Sequence, residues 1–425
     1  MTEAEAKHRG GEDADTFYAS KKAQYYALIL MLLIYACHSV DRQIVGVVTE
    51  PIREEFGATD TQMGAITLFY TLAFVLAMLP VGLLIDRTRR VRLLAILVAC
   101  WGSLTALAGF ATGIGGLIAA RMGVGAAEAG GHPTSMALIS DIVPKERRGS
   151  AIGIFYVATG LGGFLAFAGG GYIAAEYGWR ATFFFAGVPG LLLALLCLLT
   201  LREPRRGGAD GVASPAKAPP LGVVVAFVVS TPAVLNIAIS GMLASGVNGS
   251  FATWQASYFM RTHGFDLKEV GVVGALGHGV LQAMSAFASG FIADWFARKK
   301  PHRAGYVATI AMLAMAPIGI AFTLAPTAWL AVAMALATGL CAGAWMAPTY
   351  TVLTGITPPA MRGAVIALAQ ILAAVGAGFG PFFVGMISDG FGGQLHIALT
   401  IGMAVSAWAG LHSLAGMRYA ARHYP

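Results

Sequence analysis

The chain has 425 residues, of which 57% are hydrophobic and only 12% are charged, and its formal net charge is +7 at pH 7. Soluble domains are about 45–50% apolar and about 25% charged, so this composition excludes an ordinary soluble protein. It indicates a protein that crosses a membrane many times. Residues 1–22 are polar and lack the apolar core of a signal peptide, so we expect no cleaved leader.

Twelve apolar segments are each long enough to cross the roughly 30 Å hydrocarbon core as a helix. We number them spans 1 to 12 in chain order. They cover about residues 23–49, 60–84, 93–112, 115–141, 149–175, 180–201, 234–260, 268–293, 304–324, 327–355, 362–388 and 394–417. The sequence therefore predicts an all-α membrane protein with twelve transmembrane helices.

The positions of Lys and Arg predict which side of the membrane each loop faces. With a cytoplasmic N-terminus, the opposite side receives only Arg53, Arg180, Arg261 and Lys268, and nearly all other basic residues lie in cytoplasmic segments. This asymmetry follows the positive-inside rule and accounts for the net charge without any nucleic-acid partner. We expect a monomer in the inner (plasma) membrane, in contact with membrane lipids, with both termini in the cytoplasm.

The spans form two halves with a repeated pattern. Residues 82–86, GLLID, match residues 290–294, GFIAD, and residues 144–149, PKERRG, match residues 358–363, PPAMRG, in order and at equivalent loops. Two such pseudo-symmetric halves predict a site between them near the middle of the membrane, exposed alternately to each side. The predicted organisation is an N-terminal tail (1–22), a first six-helix half (23–201), a cytoplasmic linker with a surface helix (202–233), a second six-helix half (234–417) and a C-terminal tail (418–425).

Over its whole length the chain resembles the major facilitator superfamily. The segment GLLIDRTRRVR, residues 82–92, is similar to a loop signature of that superfamily, although Arg89 takes the usual place of a glycine and Val91 that of a basic residue. The resemblance implies a cytoplasmic gate in which Asp86, Arg87 and Asp294 are gating residues. The alternative is that the basic residues here only anchor lipid headgroups.

Four ionisable residues lie deep within the predicted spans. Asp41 and Arg42 are in span 1, and Arg121 and Glu128 lie about two turns apart on one face of span 4. A charge inside a bilayer needs a partner, so we expect spans 1 and 4 to face each other. A buried carboxylate beside an Arg can gain or lose a proton when the Arg moves or an anion binds. Glu128 and then Asp41 are therefore the candidates for proton coupling, and Arg42 and Arg121 for binding an anionic headgroup. A static ion-pair network is the alternative.

The same residues carry a finer resemblance. Residues 121–129, RMGVGAAEA, the pair Asp41-Arg42 and residues 202–207, REPRRG, are similar to motifs of the spinster-like branch. That resemblance implies proton-coupled transport of a lysophospholipid or sphingosine-1-phosphate. The organic anion:cation symporter branch shares the Asp-Arg and Arg…Gly-Glu-Ala patterns. The alternative is therefore a proton-coupled symporter or antiporter of small organic anions, such as sugar acids or aromatic carboxylates, or of drugs.

The second half places neutral residues where the first places charges. Its candidate substrate-binding residues are Trp254, Tyr258, His278 and Tyr350. A charged half that faces an aromatic half suits an amphipathic anion with an apolar tail. For each single aromatic residue, packing in the core is the alternative.

The sequence carries no nucleophile motif and no metal-ligand spacing, and its four cysteines are scattered through the spans. We therefore expect no enzymatic activity, no catalytic residue, no metal and no cofactor. A sensor with a transporter fold is the remaining alternative, but the short loops leave little room for an output domain.

Overall fold

A computed structural model of the protein describes residues 17–206, 220–298 and 300–423; the side chain of Asp86 lies outside that description. The described residues form helices and loops without a strand, and they build the twelve predicted spans. The spans are Lys21–Phe56, Asp60–Arg87, Arg90–Ala108, the pair Ile114–Glu128 and Gly131–Ile142, Lys145–Tyr177, Trp179–Thr200, Pro232–His263, Leu267–Ala297, Gly305–Thr323, the pair Ala328–Gly343 and Met346–Ile356, Arg362–Gly390 and Leu395–His423. The prediction of an all-α bundle of twelve transmembrane helices is confirmed.

Within the predicted linker, a short apolar helix, Leu221–Ser230, precedes span 7. Residues 207–219 of that linker and residues 1–16 of the predicted N-terminal tail lie outside the described residues.

Span 4 is broken directly after Glu128. Its first helix ends at that residue, and a second helix begins at Gly131. Gly130 and Gly131 allow the break to pack tightly, because a Cβ atom on either would press against Val81 or Trp101. The two intervening residues, Ala129 and Gly130, keep right-handed helical dihedrals, so span 4 continues past an irregular turn, and Glu128 lies at that turn.

Spans 5 and 8 each contain a π-helical segment, and the two segments touch across the halves. They cover Leu165–Gly169 and Ala275–Leu281. The Phe167 ring stacks on the His278 ring, with centroids 5.0 Å apart. Nearby, Gly171 and Gly271 let the two backbones approach closely. These contacts join the two halves between mid-height and the end of the bundle that lies opposite the chain termini.

The apolar cores show where the halves meet. We call the end of the bundle at which span 1 begins and span 12 finishes the terminal end, and the opposite end the distal end. One core contains residues of both halves and reaches distal residues such as Trp179, Phe259 and Leu395. Three further cores each belong to one half. Two lie nearer the terminal end, one within residues 18–201 and the other within 224–420, and a small third core lies within 244–409. The halves are therefore packed together distally and separated at the terminal end.

Candidate functional site

Spans 1, 3 and 4 hold a buried ion pair near mid-height. Arg121 Nη1 donates to Asp41 Oδ1 at 2.6 Å, and Thr105 Oγ1 donates to the other carboxylate oxygen at 2.7 Å. Asp41 is 1% exposed and Arg121 is 2% exposed. Spans 1 and 4 thus face each other through opposite charges, as the sequence predicted. Because Asp41 occupies Arg121, that guanidinium has no free surface for a substrate in this conformation.

Glu128 has a different set of partners. His38 Nδ1 lies 3.2 Å from Glu128 Oε2, and the Tyr70 hydroxyl donates to the same oxygen. Among the described residues the second oxygen, Oε1, accepts no hydrogen bond, and no Lys or Arg nitrogen lies within 4 Å of the carboxylate. Glu128 is therefore a buried carboxylate that lacks a permanent cation as its partner.

Arg42 is the exposed member of the group. Asp41, its neighbour in the chain, is buried, whereas the Arg42 side chain is exposed and forms no ion pair with the described residues. Its electrostatic neighbours are Tyr70, Glu128, Tyr35 and Arg121, which lie on spans 1, 2 and 4. Arg42 therefore borders the open space between the helices rather than lipid. We call Asp41, Arg42, Arg121 and Glu128 the charge cluster.

Aromatic and imidazole groups form the wall beside Arg42. Tyr35 stacks on Phe155, with ring centroids 4.5 Å apart, and its ring edge meets Tyr156. His132 Nε2 and the Tyr156 hydroxyl are 2.9 Å apart. Tyr156 is 44% exposed and has Tyr350 of span 10 as an electrostatic neighbour. Tyr350, half-buried against a core of the second half, thus lies near this wall.

The other three candidates of the second half lie in packed surroundings. Trp254 and Tyr258 are fully buried, and each polar atom is satisfied by a backbone carbonyl: Trp254 Nε1 donates to Pro381 O at 3.0 Å and the Tyr258 hydroxyl to Phe322 O at 3.0 Å. His278, 4% exposed, lies between the side-chain amides of Gln255 and Gln282, at 3.0 and 3.2 Å. In this conformation the structure places these three residues in the core instead of beside Arg42, because their polar groups already have protein partners.

The predicted gating residues lie at the terminal end. Arg87 and Asp294 are both exposed, and Asp86 is the residue whose side chain is not described. The loop between spans 2 and 3 is held by the segment that follows span 6. Glu203 accepts from the backbone nitrogens of Arg90 and Val91, at 2.5 and 3.0 Å. Burial raises the pKa of the Glu203 carboxyl, and those two backbone hydrogen bonds partly offset the rise.

An ion-pair network at the distal end joins the two halves, and sequence reasoning missed it. Arg261 of span 7 donates to Glu50 Oε2 at 2.8 Å and binds both oxygens of Asp60, at 2.8 and 2.7 Å. Glu50 and Asp60 are each 2% exposed. The predicted spans 1 and 7 end at residues 49 and 260, whereas the helices run on to Phe56 and His263. The predicted bounds therefore place Glu50 and Arg261 in loops, where a buried ion pair is not expected.

Span 11 completes this distal network. Ser388 Oγ donates to Asp60 Oδ2 at 2.6 Å, and the Asp389 carboxylate accepts from the backbone nitrogens of Asp60 and Thr61, at 3.0 and 2.8 Å. The free amides at the start of span 2 are thus satisfied by a carboxylate from the other half, which also suits the positive end of the helix dipole. We call Glu50, Asp60, Arg261, Ser388 and Asp389 the distal network.

Comparison with known proteins identifies the family. The family model of the Major Facilitator Superfamily matches residues 31–381. The chain belongs to the Major Facilitator Superfamily. It is 26% identical over 384 residues to an MFS-type efflux pump of Mycolicibacterium smegmatis, covering 88% of this chain and 87% of that protein. It is 23% identical to a probable galactarate/D-glucarate transporter of Bacillus subtilis, covering 69% of this chain and 72% of the relative.

Solved structures of the superfamily have the same architecture. The chain is similar to the crystal structure of a bacterial homolog to the human lysosomal transporter Spinster, in an inward-facing and unoccupied conformation. The TM-score is 0.80 at 26% identity, covering 95% of this chain and 98% of that chain. The family and these relatives are transporters, so the chain is a multi-span membrane transporter of the superfamily.

Proposed function

We propose that the protein is a proton-coupled secondary transporter of an organic anion, which works by alternating access. The observation that carries the proposal is Arg42, an exposed guanidinium near mid-height that is left without a carboxylate partner among the described residues. A guanidinium in such a place binds a carboxylate or phosphate in bidentate geometry. The anion would sit against the wall formed by Tyr35, His132 and Tyr156.

The charges around Arg42 suggest how anion and proton are linked. Asp41 and Arg121 cancel each other, and Arg42 balances Glu128 while the latter is ionised. One carboxylate group bound at Arg42 leaves one excess negative charge, and one proton on or beside Glu128 restores the balance. Each ligand therefore favours the other, and by linkage the coupling is reciprocal. This favours symport of anion and proton over antiport.

The distal network supports the alternating-access part of the proposal. If the terminal end faces the cytoplasm, as the distribution of Lys and Arg predicts, this conformation is open to the cytoplasm and closed to the outside by Arg261, Glu50 and Asp60. The exposed Arg87 and Asp294 would then close the cytoplasmic side in the opposite state. The switch requires the distal ion pairs to break when the terminal end closes.

Small organic anions such as sugar acids are the substrate class that the site favours. Hydroxyl and imidazole groups of Tyr35, Tyr156 and His132 line the wall beside Arg42 and can bond to a polyhydroxylated anion. Trp254 and Tyr258, the expected surface for an apolar tail, are buried in the core. The relative that is named as a galactarate/D-glucarate transporter supports the same class.

A lysophospholipid or sphingosine-1-phosphate is the second candidate. The extended likeness to the Spinster homolog, with a TM-score of 0.80 over 95% of the chain, favours it. Such a lipid would place its phosphate at Arg42 and its tail between the separated halves.

Uptake into proteoliposomes tests the proposal. Labelled D-glucarate and D-galactarate form one arm, and lysophosphatidic acid and sphingosine-1-phosphate the other, each with and without an imposed pH gradient. We expect saturable, gradient-stimulated uptake of a sugar acid that falls by about tenfold or more in Arg42→Gln, because a bidentate charged contact is lost. Arg147→Gln, at an exposed position at the start of span 5, is the matched control and should behave like the parent.

Each other outcome has a definite meaning. Flux of the lipids alone would select the second candidate. Uptake that ignores both the gradient and the Arg42 substitution would contradict proton-coupled anion transport at this site.

A further inference from the structure

His38 lies in the same buried site as Glu128, and neither the expected coupling residues nor the expected substrate ligands include it. The imidazole is 7% exposed, and its Nδ1 atom is 3.2 Å from Glu128 Oε2. Its ring stacks on Tyr35, with centroids 5.3 Å apart, and its edge meets Trp101 of span 3 at 6.3 Å. The ring is therefore fixed in orientation by packing as well as by the carboxylate.

The two buried carboxylates of the charge cluster differ in their counter-ions. Asp41 has the permanent cation Arg121 at 2.6 Å. Glu128 has no Lys or Arg nitrogen within 4 Å among the described residues, and His38 is the group at ion-pairing distance that can become positive. An isolated buried charge is strongly disfavoured, whereas a paired one is tolerated.

The hydrogen bonds at Glu128 favour its ionised form. The Tyr70 hydroxyl donates to Oε2, and His38 Nδ1 lies 3.2 Å from the same oxygen, within reach of a hydrogen bond. A carboxylate oxygen accepts two donors readily, and an imidazole that donates from Nδ1 can take a further proton on its other nitrogen. A proton that arrives there turns a lone carboxylate into a buried ion pair, with no bond broken in the protein.

We propose that the coupling proton is held on the imidazole of His38, with Glu128 as its counter-ion. This deepens the proposed function and rests on it. A proton on His38 raises the net charge of the site by one, as a proton on Glu128 would. It therefore favours an anion at Arg42 to the same extent. The proton would leave when the anion leaves and Arg42 is again free to neutralise Glu128.

Other titratable and charged groups surround the pair and belong in any account of its pH dependence. Tyr35 on span 1, Tyr70 on span 2 and His132 on span 4 are its uncharged neighbours, and His132 and His38 are electrostatic neighbours of each other. The charged groups are Arg42, which opposes a second positive charge, and the Asp41–Arg121 pair, whose Asp41 carboxyl also interacts directly with Glu128.

The test compares the parent with His38→Asn, since an Asn amide can still donate to Glu128 but does not titrate. Two quantities are followed against pH: gradient-driven uptake, and the infrared band of the protonated Glu128 carboxyl, assigned by its loss in Glu128→Gln. In the parent the imidazole takes the first proton, so uptake should rise at a higher pH than the carboxyl band. In His38→Asn the carboxyl must take that proton, so the two midpoints should coincide.

We expect the uptake midpoint of His38→Asn to move to lower pH and the carboxyl midpoint to higher pH, each by about one pH unit. His38→Gln serves as a second variant if Asn folds poorly, and His396→Asn, at the distal start of span 12, is the control that should change neither midpoint. Coincident midpoints already in the parent, or an unmoved carboxyl band in the variant, would overturn the assignment to His38.

The two measurements distinguish failure of the proposed transport function from failure of the proposed role of His38. A shifted carboxyl band without gradient-driven uptake would remove the proposed function and leave the His38–Glu128 pair. Gradient-driven uptake with an unshifted band would remove the role of His38 alone.

Discussion

The charge cluster and the distal network are both built from buried carboxylates and arginines, yet they are organised in opposite ways. In the distal network each charge is satisfied by a partner, and Arg261 reaches across to the other half. In the charge cluster all four members belong to the first half, Arg42 is exposed, and Glu128 has one oxygen without a partner. The distal network, in which every charge has a partner, is suited to holding the two halves in one conformation. The charge cluster, in which some charged groups lack a partner, is suited to binding ligands.

The largest effect on stability is expected from breaking the Asp41–Arg121 ion pair of the charge cluster. Asp41→Asn leaves the buried Arg121 without its counter-charge, which costs about 3–5 kcal/mol. The melting temperature of the purified protein should fall steeply and transport should be lost. Thr105→Val removes only one hydrogen bond to Asp41 and should cost about 1 kcal/mol. Equal stability of Asp41→Asn and the parent would show that this pair does not hold spans 1 and 4 together.

The distal network is expected to respond by opening rather than by unfolding. Arg261→Gln leaves Glu50 and Asp60 in an apolar contact without the cation from the other half, so the distal end should separate more often. Thr253→Cys, beside Gly46 at the contact of spans 1 and 7, reports this in a background without the native cysteines. Labelling by a membrane-impermeant maleimide should be about tenfold faster in Arg261→Gln.

Arg53→Gln is the matched control for the distal network. Arg53 binds Glu50 within the same helix, at 2.8 Å, and its loss leaves the pairs between the halves in place. Labelling should then increase by no more than about twofold, since Arg261 still neutralises Glu50 and Asp60 from the other half. Equal labelling rates for the two variants would show that Arg261 is not what closes the distal end.

The smallest effect, on the pH dependence of uptake, is expected from substituting His278 in the second half. His278 is held by two neutral amides, with no carboxylate as its counter-ion among the described residues, so a positive charge there has no support. His278→Asn should leave the pH midpoint of uptake unchanged within about 0.2 pH units, in contrast to His38→Asn. A midpoint that shifts as far as in His38→Asn would move part of the coupling into the second half.

The sequence predicted the bundle well because apolar length and charge distribution determine it directly. It also predicted the facing of Asp41 and Arg121, because two opposite charges in a bilayer have few other partners. The partners of Glu128 could not be predicted in the same way: His38 and Tyr70 carry no permanent charge, so nothing in the sequence requires them to have a partner. Nor could the distal network, since Asp60 and Asp389 are far apart in the chain and their contact depends on how the halves pack.

The break in span 4 and the burial of Trp254 and Tyr258 show a second limit of prediction from sequence patterns. A helix break after Glu128 follows from how closely Gly130 and Gly131 pack against Val81 and Trp101, which periodicity does not reveal. An aromatic residue on a span can face a cavity or the core with the same sequence pattern. Only the hydrogen bonds of Trp254 and Tyr258 to backbone carbonyls distinguish the two.

The most direct test of proton-coupled transport separates driven uptake from exchange in Glu128→Gln. In proteoliposomes, the variant should lose gradient-driven uptake of the substrate by about tenfold or more and keep exchange between internal and external substrate, because exchange needs no net proton movement. Glu146→Gln, at an exposed position, should retain both. Gradient-driven uptake that survives in Glu128→Gln would contradict the account and make the charge cluster a structural element alone.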